Sequence, residues 1–343
     1  MTLRTDSVAK STHLFFIAGV LLCVGLAALL VGPQGMIHPL TLFETIAAKL
    51  SSSNEPLNQN AVILWELRLP RVLAGMFIGG GLAVSGSMVQ TLFRNPLAEP
   101  FLIGISSGSA FGAVISVALG FSFTGWSGNA TTLSSFAGGI AVAILVYNLS
   151  RRGKRIAMAT LLLTGIAIGG VLQSFTTFLL LNYELQQIRS LIGWMMGSLS
   201  FVGWPQLALL IPYTVVGVVI AWVFHRELNV LVAGEQAAQH MGIPLERTRL
   251  ILLIIATLLA SVTVAICGII AFIGLMVPHM VRALLGANHK FLIPGSALGG
   301  GTLLILADLG ARIIRPGQEI PIGIITSILG GLFFVFLVQT KRF

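Results

Sequence analysis

One stretch of the sequence decides the fold: RLPRVLAGMFIGGGLAVSGSMVQTLFRNPLAEPFLIGISSGSAFG, residues 68–112. It holds two long apolar runs, and Pro96 and Pro100 lie between them. Runs of this length with so little charge are typical of membrane-spanning helices. The first run carries a cluster of glycines, namely Gly79, Gly80, Gly81 and Gly86. Because small residues let apolar helices approach closely, the stretch predicts tightly packed spans separated by a break.

Composition extends this interpretation to the whole chain. Of the 343 residues, 56% are hydrophobic and only 9% are charged, and the mean hydropathy is +0.96. A soluble domain carries about 25% charged residues, so this surface is expected to face lipid. Cys23 and Cys267 lie inside apolar segments, which favours small buried side chains over a disulfide or a metal site.

Hydropathy over windows of about 19 residues predicts an all-α membrane protein with ten spans in a single domain, residues 1–343. The apolar run Leu14–Val31 is long enough to span, and no clear small-residue cleavage site follows it, so we interpret it as the first span and not as a signal peptide. Pro96, Pro100 and Pro278 interrupt the third and eighth spans. The ten spans lie near residues 14–32, 62–91, 98–119, 130–150, 157–181, 203–225, 247–271, 275–287, 292–313 and 320–339.

The basic residues predict the orientation, since Lys and Arg are enriched in cytoplasmic loops. With both termini in the cytoplasm, ten spans place 14 of the 20 Lys and Arg residues on that side. The net charge of +9 is therefore interpreted as flanking of spans and not as a nucleic-acid surface. The six basic residues on the outer side are Lys49, Arg68, Arg71, Arg189, Arg312 and Arg315.

Four of these outer arginines sit at span mouths on the same face: Arg68, Arg71, Arg312 and Arg315. One interpretation is a basic rim that docks an acidic soluble partner, because the planar guanidinium binds carboxylates in a bidentate manner. The alternative is internal pairing. Asp308 lies four residues before Arg312, a helical spacing for an ion pair, and Glu66 and Glu319 are close by.

The longest predicted cytoplasmic segment is 226–249, RELNVLVAGEQAAQHMGIPLERTR, which is too polar to span. It predicts a short helix over Ala233–Met241, with Gly234 and Gly242 at its ends, that docks into a groove on a partner or lies in the membrane plane. A solvated loop is the alternative. No Gly-x-x-x-x-Gly-Lys-Ser/Thr loop is present, so any nucleotide hydrolysis is expected on a separate subunit and the chain itself is not an enzyme.

A weak internal repeat relates two parts of the chain. Both parts are expected to be span–break–span units, near residues 70–113 and 250–295, running in opposite directions through the membrane as in many transporters. The matching residues are Ala74, Ala83, Gly86, Pro96 and Gly104 with Ala256, Ala265, Gly268, Pro278 and Gly286, each pair 182 positions apart.

Four separated motifs resemble those of the FecCD permeases, the membrane subunits of type II ABC importers for ferric siderophores, haem and vitamin B12. They are the stretch from Arg68, GEQAAQHMG from Gly234, FIGLMVPHMVR from Phe272 and LADLGARIIRPGQEIPIG from Leu306. The resemblance implies a homodimer of ten-helix subunits with the vitamin B12 permease-like fold in the bacterial inner membrane. It also implies two ATPase subunits that bind ATP and Mg, a periplasmic binding protein, and no cofactor on this chain.

The resemblance also implies roles for individual residues. Arg68, Arg71 and Arg312 match positions that bind glutamates of the binding protein, and Arg315 is added to that set. Gly234, Glu235, Ala238 and Gly242 match the segment that couples to the ATPase. The predicted cytoplasmic gate comprises Asn95 and Leu97, together with Met158 and Ala159. The vitamin B12 member carries Thr and Ser at the last two positions, and this departure disfavours vitamin B12 as cargo.

The expected cargo is therefore an iron chelate, haem or a ferric siderophore, with vitamin B12 as the alternative. An ion-coupled secondary transporter is the alternative from another class. It would normally carry an acidic or His residue near the bilayer centre, whereas Asp308 is predicted near the outer mouth. An intramembrane enzyme would need a nucleophile–base pair or a His-Glu-x-x-His motif, which the sequence lacks. No metal site is expected.

Overall fold

The computed structural model describes residues 2–33, 35–50, 58–120, 124–125, 128–153, 155–181, 183, 185–314 and 319–340. Within these ranges most of the chain is helical. The helices are α1 (Thr2–Leu30), α2 (Pro39–Leu50), α3 (Gln59–Val62), α4 (Leu69–Phe93), α5 (Ile105–Ala118), α6 (Ala130–Ser150), α7 (Met158–Leu180), α8 (Leu185–Met195), α9 (Trp204–Val223), α10 (His225–Ala233), α11 (Glu235–His240), α12 (Leu245–Cys267), α13 (Ile273–Leu285), α14 (His289–Ile314) and α15 (Ile322–Thr340).

Short elements join some of these helices. A π-helical turn, Ile63–Arg68, connects α3 to α4, and a 3-10 turn, Pro100–Ile103, precedes α5. Three antiparallel hairpins of two-residue strands pair Val31–Gly32 with Gly35–Met36, Thr124–Gly125 with Gly128–Asn129, and Arg151–Arg152 with Arg155–Ile156.

Ten apolar helices in the described part of the chain correspond to the ten predicted spans. Eight are long and apolar enough to cross a membrane by length and composition, and the two shorter ones are α5 and α13. α5 begins at Ile105 and not near residue 98, because the chain from Asn95 to Gly104 forms a turn and a 3-10 helix. Pro278 lies inside α13, and the break there is at residues 268–272. The ten-helix membrane fold is confirmed.

Three helices were not predicted: α2, α8 and α10. α2 and α8 have 12 and 11 residues, and a window of about 19 residues averages such short elements with their polar neighbours. Both have an apolar buried side and a polar exposed side, as Leu42 and Leu191 are buried while Glu44 and Arg189 are exposed. This amphipathic pattern is typical of helices that lie along a surface.

α4 is the central helix of the bundle. In the span Gln59–Phe93, 83% of the most apolar window is buried inside the protein, against 17% for α1. α4 packs against α9, α12, α13 and α14. At Gly79 an added Cβ would overlap the carbonyl oxygen of Gly300 in α14, and at Gly86 it would overlap that of Gly274 in α13. Tight packing as the role of this glycine cluster is confirmed.

The bundle has two ends, which we name after a charged residue at each. α4 begins at the Arg71 end, and Arg94, the residue after it, lies 4.0 Å from Glu235 at the Glu235 end. α12 runs the opposite way. Near its start Arg249 pairs with Glu235, and at its end the carbonyl of Cys267 accepts a hydrogen bond from the Ser198 amide (2.8 Å) at the Arg71 end.

The two span–break–span units, α4 with α5 and α12 with α13, therefore run in opposite directions, as the repeat predicted. The constant offset of 182 positions does not describe their structural match. Gly86 lies inside α4, whereas Gly268 has a φ of +76° in the break that follows α12. The sequence match at an offset of 182 positions therefore does not pair residues in equivalent structural positions, as Gly86 and Gly268 show.

Candidate functional site

The Arg71 end is organised around one buried carboxylate. Asp308 of α14 lies between two arginines, with its Oδ1 2.8 Å from Nε of Arg71 and its Oδ2 3.1 Å from Nε of Arg312. Arg71 also binds Glu319 (Nη1 to Oε1, 2.7 Å), and the Ser200 hydroxyl donates to the same carboxylate. These contacts tie α4, α14 and the loop before α15 together.

Arg68 makes a different set of contacts. Its guanidinium donates hydrogen bonds to the carbonyls of Leu29 (2.8 Å), Leu30 (2.8 Å) and Gly35 (3.1 Å). The last carbonyls of a helix have no partners within the helix and carry partial negative charge, so a cation there is stabilising. Arg68 therefore caps the C-terminus of α1, and its guanidinium is hydrogen-bonded within the protein.

Internal partners thus exist for Arg68, Arg71 and Arg312, the three span-mouth arginines that the structure describes, and the predicted Asp308–Arg312 ion pair is confirmed. Arg68, Arg71 and Arg312 are 4%, 9% and 4% exposed. They line a cavity of about 300 Å³ at the Arg71 end. Arg315 lies outside the described residues. Docking of a partner on these arginines remains a prediction.

Glu319 is the exposed member of this network. Its side chain is 42% exposed, against 3% for Asp308. Burial works against ionisation of Glu319, but hydrogen bonds from Arg71 and Ser200 override it, so the pKa of this carboxyl lies below its usual value. The carboxylate form is therefore the form that holds Arg71 at neutral pH.

At the Glu235 end, the predicted short helix is present as α11, Glu235–His240. Gly234 separates it from α10 with a φ of +122°, and Gly242 follows it with a φ of +70°. Both values lie in the region that glycine adopts without steric cost, so these two residues permit the sharp turns that isolate α11.

Ion pairs hold α11 against the helices beside it. Glu235 pairs with Arg249 of α12 and lies 4.0 Å from Arg94. Arg249 also lies 3.2 Å from Glu246, whose other oxygen accepts a hydrogen bond from the Ile156 amide (2.9 Å). A displacement of α11 would therefore act on α12, on the end of α4 and on the hairpin before α7.

The exposed face of α11 differs from the residues predicted there. Ala238 is fully buried and anchors α11 to the bundle. Gln236, Gln239 and His240 are exposed, and Met241 is 68% exposed. The signal for this face was available in the sequence, because Met241 is the large apolar residue within the stretch GEQAAQHMG.

The predicted gate residues lie at two places near the Glu235 end. Asn95 and Leu97 are in the loop after α4, where Asn95 Oδ1 accepts a hydrogen bond from the Leu97 amide (2.9 Å) and fixes a turn. Met158 and Ala159 are the first residues of α7, and Ala159 is exposed. Their role as a gate is a prediction.

A carboxylate that sequence reasoning missed joins the two breaks. Glu99 Oε1 accepts a hydrogen bond from the Phe272 amide (2.6 Å), at the N-terminus of α13. Phe272 itself has a φ of +69°, which is uncommon for a residue with a large side chain. An acidic residue between two prolines and two apolar runs was the available signal, since such residues are rare within membrane proteins.

These observations define a multi-pass membrane permease with a charged network at each end of a central helix. The FecCD transport family model matches residues 19–340. The cobalamin import system permease protein of Halobacterium salinarum is 36% identical over 100% of this chain and 90% of that protein. The hemin transport system permease protein of Yersinia pestis is 39% identical over 81% of this chain and 84% of that protein.

A solved structure of an ABC transporter has the same fold. A metal-chelate type ABC transporter in an inward-facing conformation matches with a TM-score of 0.83 and 29% identity, over 96% of this chain and 99% of that one. The chain belongs to the FecCD transport family and is a permease of the ABC importer class, as the four motifs indicated.

The Glu99 contact gives a first prediction. Glu99→Ala leaves the Phe272 amide without its acceptor, and an unsatisfied buried donor costs about 1–3 kcal/mol. We expect a loss of that size in the free energy of unfolding of the detergent-solubilised protein. Glu99→Gln keeps a carbonyl oxygen at the same place and should retain most of the stability. Equal stability of the alanine variant and the wild type would show that this hydrogen bond does not hold the breaks together.

Proposed function

We propose that this chain is the permease subunit of an ATP-binding cassette importer that moves an iron chelate, haem or a ferric siderophore, into the cytoplasm. The observation that carries the proposal is the placement of two different sites at the two ends of α4. One is a cavity lined by arginines, and the other is an exposed short helix held by ion pairs. An importer needs both features, because one surface receives the cargo and the other couples the permease to ATP hydrolysis.

Cobalamin is the second candidate cargo. The relative from Halobacterium salinarum, which matches the whole chain, is a cobalamin permease, whereas the relative from Yersinia pestis is a hemin permease. The match to a metal-chelate type transporter fits either cargo. The presence of Met158 and Ala159 at the second part of the gate supports the iron chelate.

We infer that α11 docks on a separate ATPase subunit, which binds ATP and Mg, while this chain binds no cofactor. Its outward face is the exposed set that ends at Met241, and its inner face is fixed by Ala238 and Glu235. A partner that pulls on this face transmits the movement through Arg249 and Arg94 to α12 and α4. ATP hydrolysis by the partner is thereby linked to the loop after α4 that carries Asn95 and Leu97, which we name the gate loop.

At the other end, we infer that a periplasmic binding protein docks over the arginine cavity. Arg71 and Arg312 already bind carboxylates, so the chemistry of the site suits the glutamates of such a partner. A docking carboxylate that enters the cavity competes with Glu319, because Glu319 is the exposed partner of Arg71. Arg315 is the fourth residue of the proposed docking surface.

The proposed assembly is a homodimer in the bacterial inner membrane that works by alternating access. We propose a single permease domain with both termini in the cytoplasm, on the side of α11. The contact of Lys10 in α1 with the region of Gly286 at the Glu235 end supports this orientation. α15 begins at the Arg71 end, where the Ile322 amide donates to Gly197, and runs toward the Glu235 end.

Reconstitution tests the proposal as a whole. The chain, its ATPase and its binding protein in liposomes should accumulate haem or a ferric siderophore, in a manner that requires ATP hydrolysis. Uptake of cobalamin alone would show that the proposed cargo is wrong and that the assignment as an importer is right. Uptake driven by an ion gradient without ATP would favour the secondary transporter and refute the proposal.

The exposed face of α11 gives a second test. Met241→Asp places a charge in an apolar contact, and loss of a central apolar residue in an interface often costs 2 kcal/mol or more, as an order of magnitude. We expect the amount of ATPase that co-purifies to fall about tenfold or more. Met241→Leu keeps the apolar surface and is the matched control. Undiminished ATPase binding by the aspartate variant would place the interface elsewhere.

The Arg71 end gives a third test, and it distinguishes docking from mere internal pairing. Glu319→Gln releases one side of Arg71 for a docking carboxylate, while Asp308 still holds the other side. Exposed ion pairs contribute up to about 1 kcal/mol, so binding of the loaded binding protein should tighten by up to about fivefold. Glu44→Gln, an exposed change on α2, is the control. Weaker or unchanged binding would mean that no carboxylate replaces Glu319.

A further inference from the structure

A cavity of about 260 Å³ lies at the Glu235 end, beside the gate loop and away from the exposed face of α11. It opens between the end of α4, the end of α13 and the start of α14. The side chains that determine its chemistry are Gln90, Thr91, Arg94, Asn95, Arg282 and His289. None of the residues that line it in the described part of the chain is acidic, so its charge is set by two guanidinium groups.

Arg282 is the unusual member of this set. Its Nη2 donates a hydrogen bond to Gln90 Oε1 (3.1 Å), and no carboxylate of the described residues lies within ion-pair distance of it. A guanidinium has five N–H donors, and a partly buried cation without an anion is costly. The arginines of the Arg71 end and Arg249 all have better partners. The guanidinium of Arg282 therefore has N–H groups available for a ligand, and Arg282 lines the cavity.

Hydrogen bonds within the protein fix the side chains beside Arg282. Gln90 is only 3% exposed, and its amide donates to the carbonyls of Gly274 (3.3 Å) and Leu275 (3.1 Å), so its oxygen must face Arg282. His289, 1% exposed, is held by Thr91 (2.9 Å) and by Asn229 (2.9 Å). A ligand that enters the cavity would meet donors that are already oriented, which lowers the entropic cost of binding.

Two further donors face the same space. Asn95 lines the cavity, and because its Oδ1 accepts from the Leu97 amide, its NH₂ group remains as a donor. Arg94 is 42% exposed, and its nearest acid, Glu235, lies 4.0 Å away and pairs more closely with Arg249. The ends of α4 and α13 and the start of α14 border the cavity, so one helix N-terminus faces two C-termini and the positive charge of the cavity comes from the two guanidinium groups.

Charge and position indicate the class of ligand. A cavity of about 260 Å³ that is lined by two guanidinium groups, and by no acidic side chain among the described residues, admits a phosphate-sized anion. The exposed Trp222 donates its indole N–H to the carbonyl of Lys290 (3.1 Å), next to His289. Trp and Lys are typical of the membrane–water interface, so this cavity lies at the level of lipid headgroups.

We propose that Arg282 and Arg94 form a binding site for a phosphate group, such as the headgroup of an anionic phospholipid or free phosphate, next to the gate loop. The bound phosphate accepts hydrogen bonds from both guanidinium groups and from Asn95. It supplies the negative charge that Arg282 lacks, and it links α4 to α13 at the point where the gate loop begins. Binding therefore stabilises the gate loop in the arrangement seen here.

The test uses the purified full-length chain, freed of bound lipid in a neutral detergent. The probes are inorganic phosphate and vesicles of four parts phosphatidylcholine to one part phosphatidylglycerol, with pure phosphatidylcholine vesicles as the blank. Thermal unfolding reports stabilisation, and native mass spectrometry reports retained phospholipid. Stabilisation by the mixed vesicles alone identifies a lipid headgroup, and stabilisation by inorganic phosphate alone identifies the free anion. Both results support the site.

Arg282→Gln should lower the apparent affinity for the effective probe about tenfold or more, the size expected for loss of a charge-assisted hydrogen bond. Arg226→Gln removes an exposed charge at the same end of the bundle and should leave the affinity unchanged. If Arg282→Gln does not fold, Arg94→Gln tests the opposite wall, and a loss of affinity there supports the site. The proposal is overturned if the folded variants bind both probes as Arg226→Gln does, or if neither probe stabilises the wild type.

Discussion

Direct contact between backbones holds this bundle together. Lipid is as apolar as the helices, so water provides little drive for helices to associate within a membrane, and close packing must supply the stability. At Gly79 and Gly86 the backbone of α4 touches the backbones of α14 and α13, where even a methyl group would not fit. Because α4 is packed on nearly all sides, it is the fixed reference for the rest of the chain. Its two ends then set the distance between the arginine cavity and α11.

Charge is distributed on that frame in two ways. At the Arg71 end Arg68, Arg71 and Arg312 are matched to carboxylates or to helix carbonyls, and Glu319 is the exposed member of that network. At the Glu235 end Arg249 binds two glutamates, while Arg282 binds only a neutral amide among the described residues. The buried pairs of Asp308 resist rearrangement because breaking one leaves a buried charge, whereas Arg282 has no anion to lose. The two ends are thus suited to different roles.

The sequence could predict the parts of this structure that depend on local pattern. Ten apolar runs predict ten helices, and the Asp308–Arg312 pair follows from a spacing of four residues on one helix. The contacts that define the sites are not local. Arg71 and Glu319 are 248 residues apart, and Glu99 and Phe272 are 173 residues apart. No spacing rule links such pairs, so the sequence left a basic rim and internal pairing open as alternatives, and the structure shows that Arg71 and Arg312 are paired internally and buried. α2 and α8 were missed because they are short and amphipathic.

The contacts at the Glu235 end also form a continuous route from α11 to the second break. Glu235 lies beside Arg94, Asn95 and Leu97 form the turn that follows, and Glu99 binds the N-terminus of α13 two residues later. The Glu235–Arg94 ion pair tolerates changes in the relative orientation of its two side chains. The turn at Asn95 and the Glu99 hydrogen bond are more directional, so they fix the orientation of the loop relative to α13. In the proposed importer, this loop between an ionic contact and a helix terminus would convert displacement of α11 into movement of α13. That role would require the contact between Glu99 and the Phe272 amide.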